Sequence, residues 1–199
     1  MNSAVYPEEV EHLSRVYGCP RRFEIKIDAD PEFLRTFRDS LRRRRAEVAF
    51  VIRRHGGLVL ASAKTFYPAG VYRLPTGGVK PGEAVEEALW RELQEETGLH
   101  ATSAHFAALL DYRLESRGIT VRFASYLFVV NAPVGCPRCS DPDEEICDYR
   151  EVTASDLRVL AEELGHLGPG WQSWGVWRAV PHSIAADILE ESGAEEIGP

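Results

Sequence analysis

No apolar run in these 199 residues approaches the ~20 that a membrane-spanning helix needs, and residues 1–10 lack the basic-then-apolar pattern of a signal peptide. The expectation is a cytoplasmic protein with no membrane partner. Positive charge is also in short supply: 23 lysines and arginines face 31 acids, for a formal net charge of −8. Phosphate-backbone binding favours a basic surface, so no stable nucleic-acid partner is expected, whereas an acidic chain suits the recruitment of metal cations. Cysteine is limited to Cys19, Cys136, Cys139 and Cys147, and a cytosolic setting keeps such thiols reduced, so no disulfide is expected. There is no internal repeat of domain size; Gly-Cys-Pro-Arg recurs at 18–21 and 135–138, but four residues are too few to mean duplication.

What is present is an ordinary globular balance, 44% hydrophobic and 27% charged, with enough apolar material for a real core. The length fits one core with extensions at both ends, divided as an N-terminal extension 1–45, a central domain 46–165 and a C-terminal helical extension 166–199. Val10, Leu13 and Val16 predict a short amphipathic helix over 6–17, and 22–27 alternates like a strand. Asp30, Pro31 and Glu32 read as N-cap, first-turn proline and dipole-matching acid of a helix that runs through Leu41. The arginines at 42–45 then read as cations at a helix C-terminus, in preference to phosphate contacts. Two apolar runs, 46–53 and 58–63, flank His55-Gly56-Gly57 and predict a β-hairpin, with 72–74 continuing toward a third strand.

Farther on, 106–114 and 119–130 surround Ser116-Arg117-Gly118 as a second hairpin. A Pro/Cys/Asp-rich loop over 131–144 leads to a strand at 146–152, and Thr153 with Asp156 caps another helix. The last helical stretch, 171–189, is predicted to break near Pro181 and carries Trp171, Trp174 and Trp177 at helical spacing. That stripe reads as core or homodimer packing in preference to a base-stacking platform.

The chemistry concentrates in 77–99. Gly77-Gly78-Val79-Lys80-Pro81-Gly82-Glu83 is a loop, Glu83 is placed in the first turn of the following helix, and Gly98 supplies the left-handed stop. Glu92, Glu95 and Glu96 stand at i, i+3 and i+4 and share one helical face. Like charges so placed repel, by a few tenths of a kcal/mol per exposed pair and more on desolvation, so a helix that keeps three needs a cation. Arg91 relieves part of this through Glu87 and Glu95 at i±4; a hard divalent metal with oxygen ligands relieves far more. Three glutamates alone fit a solvated face equally well, but Gly77 and Gly78 allow close backbone approach and a main-chain carbonyl in a metal shell.

Residues 77–99 resemble the Nudix box, G-x5-E-x7-R-E-U-x-E-E-x-G-U with U aliphatic, at every fixed position. The match covers about an eighth of the chain, and the preceding hairpin with Leu74-Pro75 also resembles a Nudix core. The resemblance implies an α/β (α+β) fold, an α/β/α sandwich around a mixed sheet with the helical extensions at either end. It implies hydrolysis of a small-molecule nucleotide, a nucleoside diphosphate linked to another moiety, with Mg2+ as cofactor and Mn2+ as substitute. Glu92, Glu95, Glu96 and the Gly77 carbonyl would be metal ligands, Arg91 would orient the carboxylates, and Glu83 would anchor the loop or bridge to a second metal. The general base would be Glu95 or Glu96, or an acid from a later loop, where Glu144 and Glu145 fall; of these two, Glu145 is the catalytic candidate. Lys64, Tyr72 and Arg73, on strands approaching the cleft, are the candidate substrate contacts. The rival reading is a Nudix-like sensor that binds a nucleotide without turnover. Cys136, Cys139 and Cys147 would hold a structural Zn2+ if Cys19 or a histidine completed the set, but one CxxC is half a zinc signature and loop cysteines are the favoured reading.

Overall fold

A strand buried on both faces belongs at the centre of a sheet covered by helices on both sides, and residues 46–52 are all buried. The computed structural model describes residues 5–195, so the outer tips of the two expected extensions, 1–4 and 196–199, lie outside the described residues. In chain order the elements are α1 (Pro7–Tyr17), β1 (Arg21–Asp28), α2 (Pro31–Ser40), β2 (Ala46–Arg53), β3 (Val59–Lys64), β4 (Thr76–Val79), α3 (Val85–Thr97), β5 (Ser103–Ser116), β6 (Ile119–Asn131), β7 (Ile146–Val152), α4 (Ala154–Gly165) and α5 (Gln172–Glu195). The strands form one mixed sheet in the order β1-β5-β6-β2-β3-β7, with β4 paired to β2. β2 runs parallel to β6, and β1 parallel to β5. β5 and β6 form the predicted hairpin, turning through Arg117 and Gly118 at φ 47° and 78°, the positive-φ pair that a two-residue hairpin favours.

Two apolar layers cover the sheet. On one face Leu34 and Phe37 of α2, Leu157 and Leu160 of α4 and Trp177 and Ala185 of α5 pack with Val51, Leu110 and Phe123. On the other, Val10 and Leu13 of α1 and Val85, Ala88 and Leu89 of α3 pack with Phe50, Phe106 and Phe128. The result is the α/β/α sandwich expected. The caps read from sequence form as well: the Asp30 side chain accepts from the Phe33 amide, and Thr153 and Asp156 cap each other's backbone at α4. No helix of the described residues is long and apolar enough to cross a membrane.

Several local expectations give way to tertiary pairing. β2 and β3 share a single ladder pair, Arg53↔Val59, because β4 takes the place beside β2 while β3 pairs along its length with β7. The glycine loop is accordingly shorter than predicted: Thr76–Val79 is a strand, drawn into the sheet by four ladder pairs with β2. Residues 72–74 contribute only an isolated bridge, Ser62↔Arg73. Glu83 lies before the N-cap Ala84 and so outside α3, and Glu87 serves the Ala84 amide at 3.0 Å rather than pairing with Arg91. Two of the arginines expected as cations on the C-terminus of α2 have other partners: Arg45 binds Glu9 and the Glu83 carbonyl, and Arg44 lies over the rings of Phe37, Phe123 and Trp177. α5 continues through Pro181. A proline removes one helical hydrogen bond, and the helix is held by its packing: Trp177, Ile184 and Ala185, on both sides of Pro181, are buried in one core.

Candidate active site

β4 and α3 position the functional groups. Gly82, at φ 82°, turns the chain toward α3, and Gly98 ends the helix in the left-handed conformation at φ 61°. Gly77 is required by close approach, since a Cβ there would come within 2.1 Å of the Glu92 side chain. Arg91 ties loop to helix. Its Nε and Nη2 donate to the two oxygens of Glu83 at 2.6 and 2.9 Å, Nη2 also to the Gly78 carbonyl at 2.9 Å, and Nη1 to Glu92 and Glu95 at 2.7 Å each. Burial pushes the Glu83 carboxyl up, but Arg91 and the Lys80 amide outweigh it and hold Glu83 below its usual range. Glu83 therefore anchors the loop.

Three carboxylates converge beside that frame. Glu92, Glu96 and Glu144 each present an oxygen, all within 4.8 Å of one another. Glu92 is 4% exposed and Glu96 fully buried. One Glu92 oxygen and both Glu96 oxygens are buried without a hydrogen-bond partner. The Lys64 ammonium lies 3.3 Å from Glu96 and 2.6 Å from Glu144, and the Arg91 guanidinium holds the other Glu92 oxygen. Burial pushes Glu96 up to about 8 against the pull of Lys64 and Arg73, and pushes Glu92 up against Arg91. Glu144 is also pushed up by burial, but Lys64 prevails and holds it low. Buried carboxylates without partners are costly, and an all-oxygen donor set with open lone pairs suits a hard divalent cation. The residues therefore fit such an ion, and the orphaned oxygens of Glu92 and Glu96 are the observation that says so.

The loop that delivers Glu144 is fastened to the end of α3. The amides of Arg138 and Ser140 donate to the carbonyls of Thr97 and Glu95 at 2.8 and 3.0 Å, and the Tyr149 hydroxyl donates to the Glu96 carbonyl. At the loop's start Arg54 donates to the carbonyls of Ala132, Val134 and Gly135.

Of the residues predicted from sequence, the fold gathers Glu92, Glu96, Glu83, Arg91, Gly77 and Lys64 at this place. Glu95 is beside it but partly exposed and held by Arg91, outside the converging set. Glu145 is exposed, its carboxylate meeting the Thr65 hydroxyl at 3.3 Å, because its left-handed backbone (φ 54°) ends the turn that places Glu144 inward. The later acid is thus Glu144 in geometry, and Glu145 is corrected. Arg73 is buried and spent on Tyr67, the Leu74 carbonyl and Thr76, while half-buried Tyr72 donates to Asp148. All four cysteines are free, and among the described residues no group of three metal-ligating side chains includes one. Cys139 donates to the Asp141 carbonyl and Cys147 to that of Ala63, so the zinc reading is withdrawn in favour of ordinary loop cysteines.

A family model described as the NUDIX domain matches residues 42–170. The chain belongs to the Nudix family. An RNA pyrophosphohydrolase of Erythrobacter litoralis is 35% identical over 74 residues, 37% of this chain and 45% of that protein. An RNA pyrophosphohydrolase of Cereibacter sphaeroides is 38% identical over 61 residues, 31% of this chain and 38% of that protein. The chain thus spans less than half the length of these curated relatives. A crystal structure of a Bacillus subtilis pyrophosphohydrolase superposes with a TM-score of 0.49 at 18% identity, covering 74% of this chain and 82% of that one. Relative to the Nudix box, sequence reasoning missed a second buried charge cluster. Glu47 is 1% exposed and receives Arg178 through both oxygens at 3.0 Å and Ser125 at 2.6 Å, with Arg44 3.5 Å away. The signal was available: Glu47 is the one charge in the apolar run 46–52, and a buried charge demands a partner.

Proposed function

We propose that this Nudix protein is a pyrophosphohydrolase, which adds water across a phosphoanhydride of a nucleoside diphosphate linked to another moiety, with Mg2+ or Mn2+ as cofactor. The observation that carries the reading is the convergence of Glu92, Glu96 and Glu144 around buried carboxylate oxygens that no protein donor satisfies. Those three side chains would hold the cation, with the Gly77 carbonyl as a further ligand. When bound, the cation supplies charge neutralisation for the diphosphate and Lewis acidity toward water. Arg91 keeps Glu92 and Glu95 in place through a fixed guanidinium fork. Glu95 has one oxygen on Arg91 and is partly exposed, which leaves its second oxygen available to accept the proton of the attacking water. Lys64 compensates the carboxylates and is free to turn to a substrate phosphate once another cation takes over that charge. In such phosphoryl chemistry positioning and electrostatics supply most of the rate.

The test is product release from a panel of nucleoside diphosphate sugars, dinucleoside polyphosphates, NAD(H), deoxynucleoside triphosphates, CoA and RNA with a 5′-terminal polyphosphate, the last because the relatives are RNA pyrophosphohydrolases. Cleavage with Mg2+ or Mn2+ that disappears in Glu96→Gln while the fold is retained supports the proposal. Tight nucleotide binding with no product from any substrate would instead identify a sensor without turnover.

A further inference from the structure

Residues 80–82 are exposed, so the loop between β4 and α3 has little packing to hold it, yet it joins the strand that carries Gly77 to the helix that carries Glu92 and Glu96. Its position depends on the bonds made at its two ends, and Arg45 makes one at each. The Arg45 amide donates to the Val79 carbonyl at 2.9 Å, where β4 stops. The Arg45 guanidinium donates to the Glu83 carbonyl at 2.8 Å, just before α3 begins. The carboxylate of the same Glu83 holds Arg91, which in turn holds Glu92 and Glu95.

Arg45 is itself gripped by α1, which lies wholly outside residues 42–170. Glu9 accepts from both terminal nitrogens of Arg45, at 3.0 and 2.6 Å, in a bidentate pair whose two side chains are each 15% exposed. A Glu9 oxygen also accepts from the Val85 amide at 2.9 Å, the first amide of α3. A helix start needs such an acceptor, and the N-cap residue, Ala84, has no side-chain oxygen to offer. Glu9 supplies the missing cap from another helix, with a charge that the helix dipole favours at that end. Val10 and Leu13, both buried against α3 and the sheet, seat α1 so that Glu9 points inward while residues 6–8 stay exposed. We infer that α1 is a clamp on the catalytic loop, with Glu9 as a positioning residue that sets the loop and the start of α3 through Arg45 and the Val85 amide. Without Glu9, Arg45 loses its countercharge, the loop loses its fixed ends, and Arg91 no longer presents Glu92 and Glu95 in one orientation. The inference rests on the proposed metal-dependent cleavage for its biological meaning, but metal affinity tests it separately.

The experiment compares Glu9→Ala, Glu9→Gln and Tyr17→Phe in the full chain. Tyr17→Phe is the structural control: it removes a hydroxyl that donates to Glu86 and accepts from Trp90, another tie between α1 and α3, and leaves the bonds of the loop in place. Mn2+ affinity is measured by electron paramagnetic resonance without substrate, and kcat and KM on whichever substrate the parent cleaves, at a temperature where thermal melts show every variant folded. Glu9→Ala is expected to weaken Mn2+ binding and to lower kcat about tenfold or more each, the range for groups that orient metal ligands, with KM little changed. Glu9→Gln keeps an acceptor for the Val85 amide but not the charge for Arg45, and should fall between Glu9→Ala and the parent. Tyr17→Phe should match the parent in both readouts. Should Glu9→Ala not fold, Glu9→Gln against Tyr17→Phe makes the same comparison. Parent-like Mn2+ affinity and kcat in the Glu9 variants, or equal losses in Tyr17→Phe, overturns the inference. A parent that releases no product yet binds Mn2+ more tightly than Glu9→Ala would sink the cleavage reading and leave the clamp standing; a parent that cleaves no faster than its Glu9 variants would do the reverse.

Discussion

Glu47 and Glu96 are two glutamates buried to the same degree and treated in opposite ways. Glu47 is 1% exposed and saturated: Arg178 reaches both its oxygens, Ser125 one of them, and Arg44 adds charge from 3.5 Å. Glu96 is fully buried, and neither of its oxygens has a hydrogen-bond partner. Burial of a carboxylate is stabilising only when the lost water is replaced by donors and countercharge. The Glu47 group meets that condition and ties α5 to the central strand. Glu96 does not, and burial pushes its carboxyl up to about 8. A cost of this kind is retained where the missing partner arrives with a ligand, which is the role proposed for Glu96, whereas Glu47 serves the fold.

That contrast makes graded predictions. The largest effect is expected from Glu96→Gln, which should lower turnover about 10²- to 10³-fold, the range seen when one preorganised electrostatic group is removed from an active site. In the same variant the metal-free protein should melt no lower than the parent, and a large loss of stability would show that Glu96 belongs to the structural class after all. Glu47→Ala should do the opposite. It leaves Arg178 buried without its carboxylate and is expected to cost about 3 kcal/mol or more of unfolding free energy, measured by denaturant titration. Addition of Mg2+ at ~100 times its dissociation constant should stabilise the parent by about 2.7 kcal/mol and Glu96→Gln by much less. A parent whose melting is indifferent to both Mg2+ and Mn2+ would remove the reason for leaving the Glu96 oxygens without a hydrogen bond. The smallest effect is expected from Arg91→Lys. A lysine cannot reproduce the fork that spans Glu83, Glu92, Glu95 and the Gly78 carbonyl, so activity should fall about tenfold as the carboxylates lose their orientation, with the melting temperature little changed.

How much was legible in the sequence depended on how local the cause was. The C-terminal end of α3, the β5–β6 turn and the Thr153 cap were readable because each is decided within a few residues, by a left-handed glycine, a positive-φ pair or a side chain folding back on its own backbone. The separation of β3 from β2 was not, because the competitor for the edge of β2 comes from residues 76–79, and no feature of the two strands announces it. Which of Glu144 and Glu145 faces the cluster was not legible for a related reason. Adjacent acids look alike in sequence, and which one turns inward was set by a left-handed residue at 145 and by bonds from the loop to the end of α3. The continuity of α5 through Pro181 likewise reflects packing that propensity does not see.

What the sequence determined by itself was the chemistry on offer: a helix bearing Glu92, Glu95 and Glu96 with Arg91 between loop and helix, and glycines where backbone and carboxylate must nearly touch. What only the tertiary structure decided was how that chemistry is shared out. It put Glu95 on Arg91, brought Glu144 and Lys64 from distant strands and loops, and left Glu96 buried with Lys64 nearby but no hydrogen bond, while Glu47 received Arg178 and Ser125. Spacing along a helix fixes which side chains share a face, but desolvation and pairing are set by whatever packs over that face, and those groups come from far along the chain.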